Sequence, residues 1–498
     1  MMPRVLMVAS EAAPFAKTGG LADVAGSLPG ALASLGHSVA VLLPRYRQIS
    51  LRDLQRVHDH LPIWINGHDF TTVLYRAGQG STSFYFLDCP ALYDREDIYG
   101  AHDRDYPDNH LRFAVLCRAA LEIVRRIFRA EIIHCHDWQS GLVPAYLNGQ
   151  FAHDPTFFGV KTLFTIHNLA YQGRFSPKVL ADVGLDREQF SINGVEFKGD
   201  VSFLKAGLYY SDALNTVSEG YAREICTREY GEGMEGLLSS RRDQLWGILN
   251  GVDYSIWNPE TDTYIAANYS AADLSGKAIC KRALIEELNL PLDDLTQPVI
   301  GVVSRLTAQK GSDLIAAIAG DLVATGALLV VLGAGERKYE DMFRTLAAAH
   351  PDQVAVRIAR DERLAHMIEA GADIFLMPSR YEPCGLNQFY SLRYGTIPVV
   401  RATGGLDDTI EESTGFKFRD YSAAALLETV RAALDAFADK AGWTARMRCA
   451  MGKDFSWAVS AAKYSRLYQH LAGRGVNPGE LLEHLSSRSE GLGDGHGQ

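Results

Sequence analysis

The chain has no Cys-x-x-Cys pair, and its seven cysteines, Cys89, Cys117, Cys135, Cys226, Cys280, Cys384 and Cys449, are odd in number and scattered. That pattern excludes a disulfide framework and reads as reduced thiols in a cytosol. Positive charge is also short, 49 Lys and Arg against 60 Asp and Glu, for a formal net charge of -11. No broad cationic face is left to track a nucleic-acid backbone, so any anionic ligand must be held locally. Long apolar runs are missing too: no stretch reaches the ~18 residues of a membrane span. The start, Met1 to Ser10, lacks the basic segment and long apolar core of a signal peptide. Together these absences point to a cytoplasmic protein with neither a membrane nor a nucleic-acid partner.

What is present is ordinary globular material, 47% apolar and 22% charged. At 498 residues the chain exceeds what one core normally serves, so two domains with a cleft between them are expected. Short apolar runs at 5–9, 39–43, 84–87, 132–135, 162–166 and 214–217 alternate with amphipathic stretches such as 111–128. This rhythm predicts an α/β fold, a parallel sheet with helices on both faces. It restarts after a polar segment at 250–262, with runs at 299–303, 328–332, 354–358, 374–377 and 397–400. Two Rossmann-like doubly wound domains follow, 1–253 and 254–455. A helix over 456–472 is expected to cross back to the first, and a Gly-, Ser- and His-rich tail, 473–498, to be disordered.

In doubly wound sheets ligands bind beyond the carboxyl ends of the strands, so the chemistry is sought in strand-end loops. After the first strand comes Lys17-Thr18-Gly19-Gly20-Leu21-Ala22-Asp23. Glycines there let backbone amides approach an anion at a helix start, with Lys17 adding a full charge; a tight turn with a solvated lysine is the competing reading. A near copy, Thr403-Gly404-Gly405-Leu406-Asp407-Asp408, follows the strand at 397–400. Two helix starts converging on one anion, or common turn chemistry, both account for it.

Arg305 and Lys310 flank a loop after the first strand of the second series, either a fork of donors and a point charge suited to a diphosphate or a solvated loop pair. In Glu382-Pro383-Cys384-Gly385-Leu386, Gly385 and Leu386 offer amides for phosphate, and Glu382 suits sugar hydroxyls. Cys384 stands either as a nucleophile or as a small buried thiol. His134 and His136 share one strand face, as a metal pair or as packing groups, while Asp137 and Trp138 at the strand tip suit a sugar. His167 leaves the next strand, as a cleft-edge residue or a satisfied structural histidine, and Asn250 marks a turn near the domain junction.

Taken in order, these segments resemble the bacterial glycogen synthase and plant starch synthase family, and the match spans nearly the whole chain. The resemblance implies the two-domain GT-B architecture, ADP-glucose as donor, glycogen or another α-1,4-glucan as acceptor, retained anomeric configuration, and neither metal nor cofactor. Carried to matching positions, it puts Lys17, Gly19 and Gly20 by the donor, and Arg305 and Lys310 on the diphosphate. Amides from Cys384 to Leu386 meet the distal phosphate, with Thr403 in the neighbouring turn. His167, Asp137 and Asn250 surround the transferred glucose, Glu382 holds its hydroxyls, and Tyr99 resembles a glucan-side tyrosine.

One departure stands out: where the family often has a tyrosine against the adenine, this chain has Arg360. Use of UDP-glucose, or of another acceptor by a related enzyme, is therefore the nearest alternative. A glucan-binding homologue without activity is another. A dinucleotide oxidoreductase would need the full fingerprint, a Gly-x-Gly-x-x-Gly turn leading from a strand into a helix with a well-spaced acidic residue beyond it, and none is read in this chain.

Overall fold

The computed structural model describes residues 1–79, 82–101, 104–291 and 295–474. Of the tail expected to be disordered, all but Gly473 and Arg474 lies outside the described residues. The chain divides into two compact units, Met1–Gly251 together with Trp457 onward, and Val252–Ser456.

The first unit is built on a nine-stranded sheet. Its strands are β1 (Arg4–Val8), β2 (Ser38–Pro44), β3 (Gln55–His58), β4 (Val73–Gln79), β5 (Thr82–Asp88), β6 (Ile132–His136), β7 (Lys161–Ile166), β8 (Ala213–Thr216) and β9 (Leu245–Gly247). Their spatial order is β9-β8-β7-β6-β1-β2-β5-β4-β3. All pairs are parallel except β5 with β4 and β4 with β3. The central strands are apolar without alternation because helices cover both faces; β1 is buried from Val5 to Val8 and β6 throughout. Helix α1 (Gly20–Ser34) follows β1, and α2 (Asn109–Arg126) precedes β6.

The second unit holds a six-stranded, wholly parallel sheet. Its strands are β10 (Val299–Val303), β11 (Leu328–Leu332), β12 (Val354–Arg357), β13 (Ile374–Met377), β14 (Ile397–Arg401) and β15 (Phe416–Phe418). The order β12-β11-β10-β13-β14-β15 is the 3-2-1-4-5-6 of a doubly wound sheet, which reverses direction between β10 and β13. Helices α3 (Ser275–Glu287), α4 (Glu362–Gly371), α5 (Asn387–Tyr394) and α6 (Gly404–Thr409) belong to this unit.

The last helix, α7 (Trp457–Leu471), returns to the first unit. It is tied there by buried polar groups: the Tyr468 hydroxyl meets His134 Nδ1 at 2.7 Å, Tyr464 donates to Asn215 Oδ1 at 2.9 Å, and Ser465 meets His37 Nε2 at 2.8 Å. Gly251 packs so closely against Trp457 that an added Cβ would stand 2.5 Å from its Cα.

Candidate functional site

Lys310 and Glu382, 72 residues apart in sequence, meet in the second unit because β10 and β13 are neighbours at the point where the sheet order reverses. The Lys310 ammonium donates to Glu382 Oε2 at 2.5 Å, and Ser379 Oγ donates to the same oxygen at 3.0 Å. Glu382 is 5% exposed, and its burial is compensated by this paired cation and hydroxyl. Arg305 is exposed just past β10, its guanidinium held to Gln309 Oε1 at 3.2 Å. Gly311, which starts the helix after Lys310, has φ 77°, and a Cβ there would come within 2.2 Å of the Pro378 carbonyl. The two loops can approach this closely only with glycine at that position.

Beyond Glu382, Gly385 turns with φ 74° into Leu386, the residue that precedes α5. Cys384 is buried, and its carbonyl accepts from the Gln388 side chain at 2.9 Å. Thr403 precedes α6 and is buried. Of the two Gly-Gly turns, this one has its Gly405 amide already committed to the Glu382 carbonyl at 3.1 Å. Arg360 is exposed three residues past β12, and the next residue, Asp361, caps α4 by accepting from the Leu364 amide at 2.9 Å.

In the first unit Lys17, Asp137 and His167 follow β1, β6 and β7, where that sheet also reverses order beside β1, while Tyr99 lies between β5 and α2 and Asn250 follows β9. Two amides of the loop ahead of α1, those of Thr18 and Gly19, face an anion from within the chain. Glu11, 3% exposed, accepts from the Thr18 amide at 2.5 Å, the Gly19 amide at 3.1 Å and the Thr18 hydroxyl at 2.6 Å. The Tyr99 hydroxyl donates to this carboxylate at 2.5 Å and meets Ser10 Oγ at 2.7 Å. Lys17 is half exposed and paired with Asp23 at 2.7 Å; Gly20 is the first residue of α1.

Asp137 follows β6 with φ 56°, a conformation that few non-glycine residues adopt. Its Oδ1 accepts from the His167 amide at 2.7 Å, and burial pushes its carboxyl up to about 7. The His167 ring meets His136 Nδ1 through Nε2 at 3.0 Å, and burial pushes its pKa down to about 3. His134 and His136 are held well below the usual histidine range, also by burial. Both His134 nitrogens are engaged, with Tyr468 and Thr165. The strand-end pair therefore serves packing and hydrogen bonding, and among the described residues no group of three His, Cys, Asp or Glu is arranged to hold a metal.

Trp138, read from sequence as a sugar platform, stands instead in an aromatic cluster, its ring centroid 4.9 Å from Phe113 and 5.9 Å from Phe175. Asn250 is 5% exposed, and its Oδ1 is buried with no partner among the described residues.

Three residues escaped the sequence reading: Glu11, Ser379 and His136 in its contact with His167. An acidic residue at a strand end, just before a glycine loop, was the available signal for Glu11. The run Gly231-Glu232-Gly233-Met234-Glu235-Gly236 does carry dinucleotide spacing. It enters its six-residue helix, Glu235–Ser240, from turns and not from a strand, so it is no dinucleotide turn.

Residues 4–240 match the starch synthase catalytic domain and residues 288–443 the group 1 glycosyl transferases. Glycogen synthase of Koribacter versatilis is 49% identical over 473 residues, covering 93% of this chain and 97% of that protein. Its counterpart from Anaeromyxobacter sp. (strain Fw109-5) is 50% identical, covering 94% and 99%. The catalytic domain of starch synthase IV from Arabidopsis thaliana, solved with ADP and acarbose, superposes with a TM-score of 0.88 at 31% identity, over 95% of this chain and all of that one. Sucrose-phosphate synthase from Thermosynechococcus elongatus shares the fold, with a TM-score of 0.61 at 18% identity, over 95% of this chain and 99% of that one.

Proposed function

The chain belongs to the glycogen and starch synthase family of two-domain GT-B glycosyltransferases, and from that premise we propose that it transfers glucose from ADP-glucose to the non-reducing end of an α-1,4-glucan, releasing ADP. The observation that carries this reading is the meeting of Lys310 with buried Glu382, and Arg305 beside β10, at the reversal point of a doubly wound sheet. A relative solved with ADP and acarbose supports an adenine nucleotide and an oligosaccharide as the kinds of ligand.

As the bond from the glucose anomeric carbon to the diphosphate breaks, charge develops on the sugar and on the departing phosphate. Arg305 and Lys310 stabilise the phosphate, and fixed donors aimed at developing charge supply most of the rate gain in such a step. Amides from Cys384 to Leu386 and the turn at Thr403 complete the phosphate cradle, and Lys17, Gly19 and Gly20 serve the donor from the first unit. Glu382 accepts from glucose hydroxyls, and His167, Asp137 and Asn250 line the sugar; the partnerless Asn250 Oδ1 supports a hydroxyl as its missing donor. Tyr99 faces the glucan.

Retention follows from attack by the glucan hydroxyl on the face the diphosphate leaves, the hydroxyl proton passing to a departing phosphate oxygen. No covalent glucosyl-enzyme forms on this route. A cytoplasmic location accords with this chemistry.

The test is direct. Purified protein is given glycogen with either ADP-glucose or UDP-glucose, and incorporated glucose is counted. Faster transfer from ADP-glucose supports the reading; faster transfer from UDP-glucose reassigns the donor, and glycogen binding without transfer from either refutes the enzyme.

A further inference from the structure

A single buried carboxylate in the first unit joins two segments far apart in sequence. Glu11 Oε2 accepts from two backbone amides, those of Thr18 and Gly19. Its Oε1 accepts from two hydroxyls, those of Thr18 and of Tyr99, the latter 88 residues away. A carboxylate accepts only, and here four donors converge on it in a site 3% exposed. Such a network, fully satisfied and shielded from water, fixes its members in one arrangement.

From this geometry we infer that Glu11 is a positioning residue, coupling the loop at 17–20 to Tyr99 so that donor and glucan are placed together. The inference rests on the proposed function, in which loop 17–20 serves the donor and Tyr99 the glucan. Glu11 itself touches neither ligand. It acts by holding Thr18 and Gly19 in the turn that carries Lys17, and by aiming the Tyr99 ring through its hydroxyl.

The two oxygens differ in a way that yields a discriminating pair of variants. Backbone N–H groups only donate, whereas hydroxyls reverse roles. Glutamine can therefore turn its carbonyl oxygen to Thr18 and Gly19 and its NH2 to the two hydroxyls, with Tyr99 then donating to Ser10, which already lies 2.7 Å from it. Alanine leaves both amides and the Thr18 hydroxyl without their acceptor and cuts the link between them and Tyr99, whose hydroxyl keeps only Ser10.

The test measures steady-state kinetics with ADP-glucose and glycogen for the wild type, Glu11→Ala and Glu11→Gln. Removing an acceptor shared by several donors is expected to raise both KM values together, by about tenfold, in Glu11→Ala, while kcat falls less. Glu11→Gln restores both KM values to within about threefold of wild type. A folded Glu11→Ala with both KM values unchanged, or a Glu11→Gln as impaired as Glu11→Ala, overturns the inference.

If Glu11→Ala fails to fold, Thr18→Val carries the test: it removes a hydroxyl that touches Glu11 and not Tyr99, yet it is expected to raise the glucan KM. An unchanged glucan KM in that variant overturns the coupling. Hydrogen exchange reads the same coupling without activity. Segments 17–20 and 93–101 both exchange faster in Glu11→Ala and not in Glu11→Gln, and loosening of only one refutes it. A wild type that transfers no glucose sinks the functional reading alone, because the exchange result stands apart from it.

Discussion

Two turns in this molecule are spelled almost alike, Thr18-Gly19-Gly20-Leu21-Ala22-Asp23 in the first unit and Thr403-Gly404-Gly405-Leu406-Asp407-Asp408 in the second. Both lead from a strand into a helix, and in both a lysine pairs with an aspartate of the helix at 2.7 Å, Lys17 with Asp23 and Lys417 with Asp407. They differ in what faces their amides. In the first turn Thr18 and Gly19 donate to the Glu11 carboxylate; in the second Gly405 donates to the backbone carbonyl of Glu382. One turn is thus anchored by a side chain from its own strand end, the other is welded to the loop that carries the buried glutamate. A shared motif fixes the local path of the chain, and its role is set by the groups that the topology brings opposite.

The same contrast extends to charge. The second unit presents Arg305, Lys310 and Glu382, whereas burial holds His167 neutral in the first and keeps Asp137 near its midpoint at neutral pH. The largest expected effect follows. Arg305→Ala or Lys310→Ala should lower kcat on the order of 100-fold, from the ~2.7–4 kcal/mol that loss of one such donor costs. Lys17 is half exposed and already paired, so Lys17→Ala is expected to raise the donor KM and lower kcat by less than about tenfold. Equal losses of kcat from the two units would erase this distinction.

Alanine substitution in the twin turns sharpens it next. A Cβ on Gly405 would stand 2.1 Å from the Cys384 carbonyl oxygen, while one on Gly19 would meet nothing within 4 Å. Gly19 is extended at φ -148°, open to any residue. Gly405→Ala should therefore cost about 1–3 kcal/mol or more of unfolding free energy, and Gly19→Ala less than about 0.5 kcal/mol. Urea denaturation of both variants measures the gap.

Titration gives a third separation. The Asp137 carboxyl is raised by burial to about 7. Its contribution to stability is therefore fully present below the ordinary aspartate range and is lost as pH rises through about 7. His167, lowered to about 3, works in the opposite sense, losing stability as pH falls toward that value. The wild-type curve mixes the two, so the informative quantity is the difference from Asp137→Asn. The advantage of wild type in melting temperature over this variant should shrink from pH 5 to pH 8, and a step near pH 7 in kcat/KM should vanish in the variant. A difference that grows with pH would contradict the burial argument.

The central parallel strands of both sheets are legible in the sequence because strands covered on both faces must be apolar throughout, as in β1, β6, β11 and β13. The antiparallel strands β4 and β3 are not, although the edge strand β12 is. β3, Gln55-Arg56-Val57-His58, has three exposed residues and one partly buried, so it offers no hydrophobic signal, and the short strands β9 and β15 were likewise missed. Strand-end residues such as Lys310 and Glu382 are visible as candidates because carboxyl ends of parallel strands gather loops. Their contact is not visible, since it depends on β10 and β13 being neighbours across 72 residues of chain. Glu11 shows the same limit: its partners lie 7, 8 and 88 residues away, and only the folded sheet brings them to one carboxylate.

Arg360 offers the smallest expected effect and the finest probe of the second unit. It stands exposed past β12, two strand spacings, about 10 Å, from the strand that leads to Arg305. A nucleotide with its diphosphate at Arg305 and Lys310 would extend its base along the sheet edge in that direction. A guanidinium stacks on either base, but a neutral ring matches the larger face of a purine better, so Arg360→Tyr should raise the ratio of kcat/KM for ADP-glucose over UDP-glucose. At an exposed site such stacking is worth about 0.5–1 kcal/mol, or roughly two- to fivefold. Parallel assays with both donors on glycogen read this ratio, which cancels changes in protein concentration and acceptor affinity. An unchanged ratio would move base selection away from β12, to the loop at 333–336 beyond β11, whose backbone already packs against Leu306.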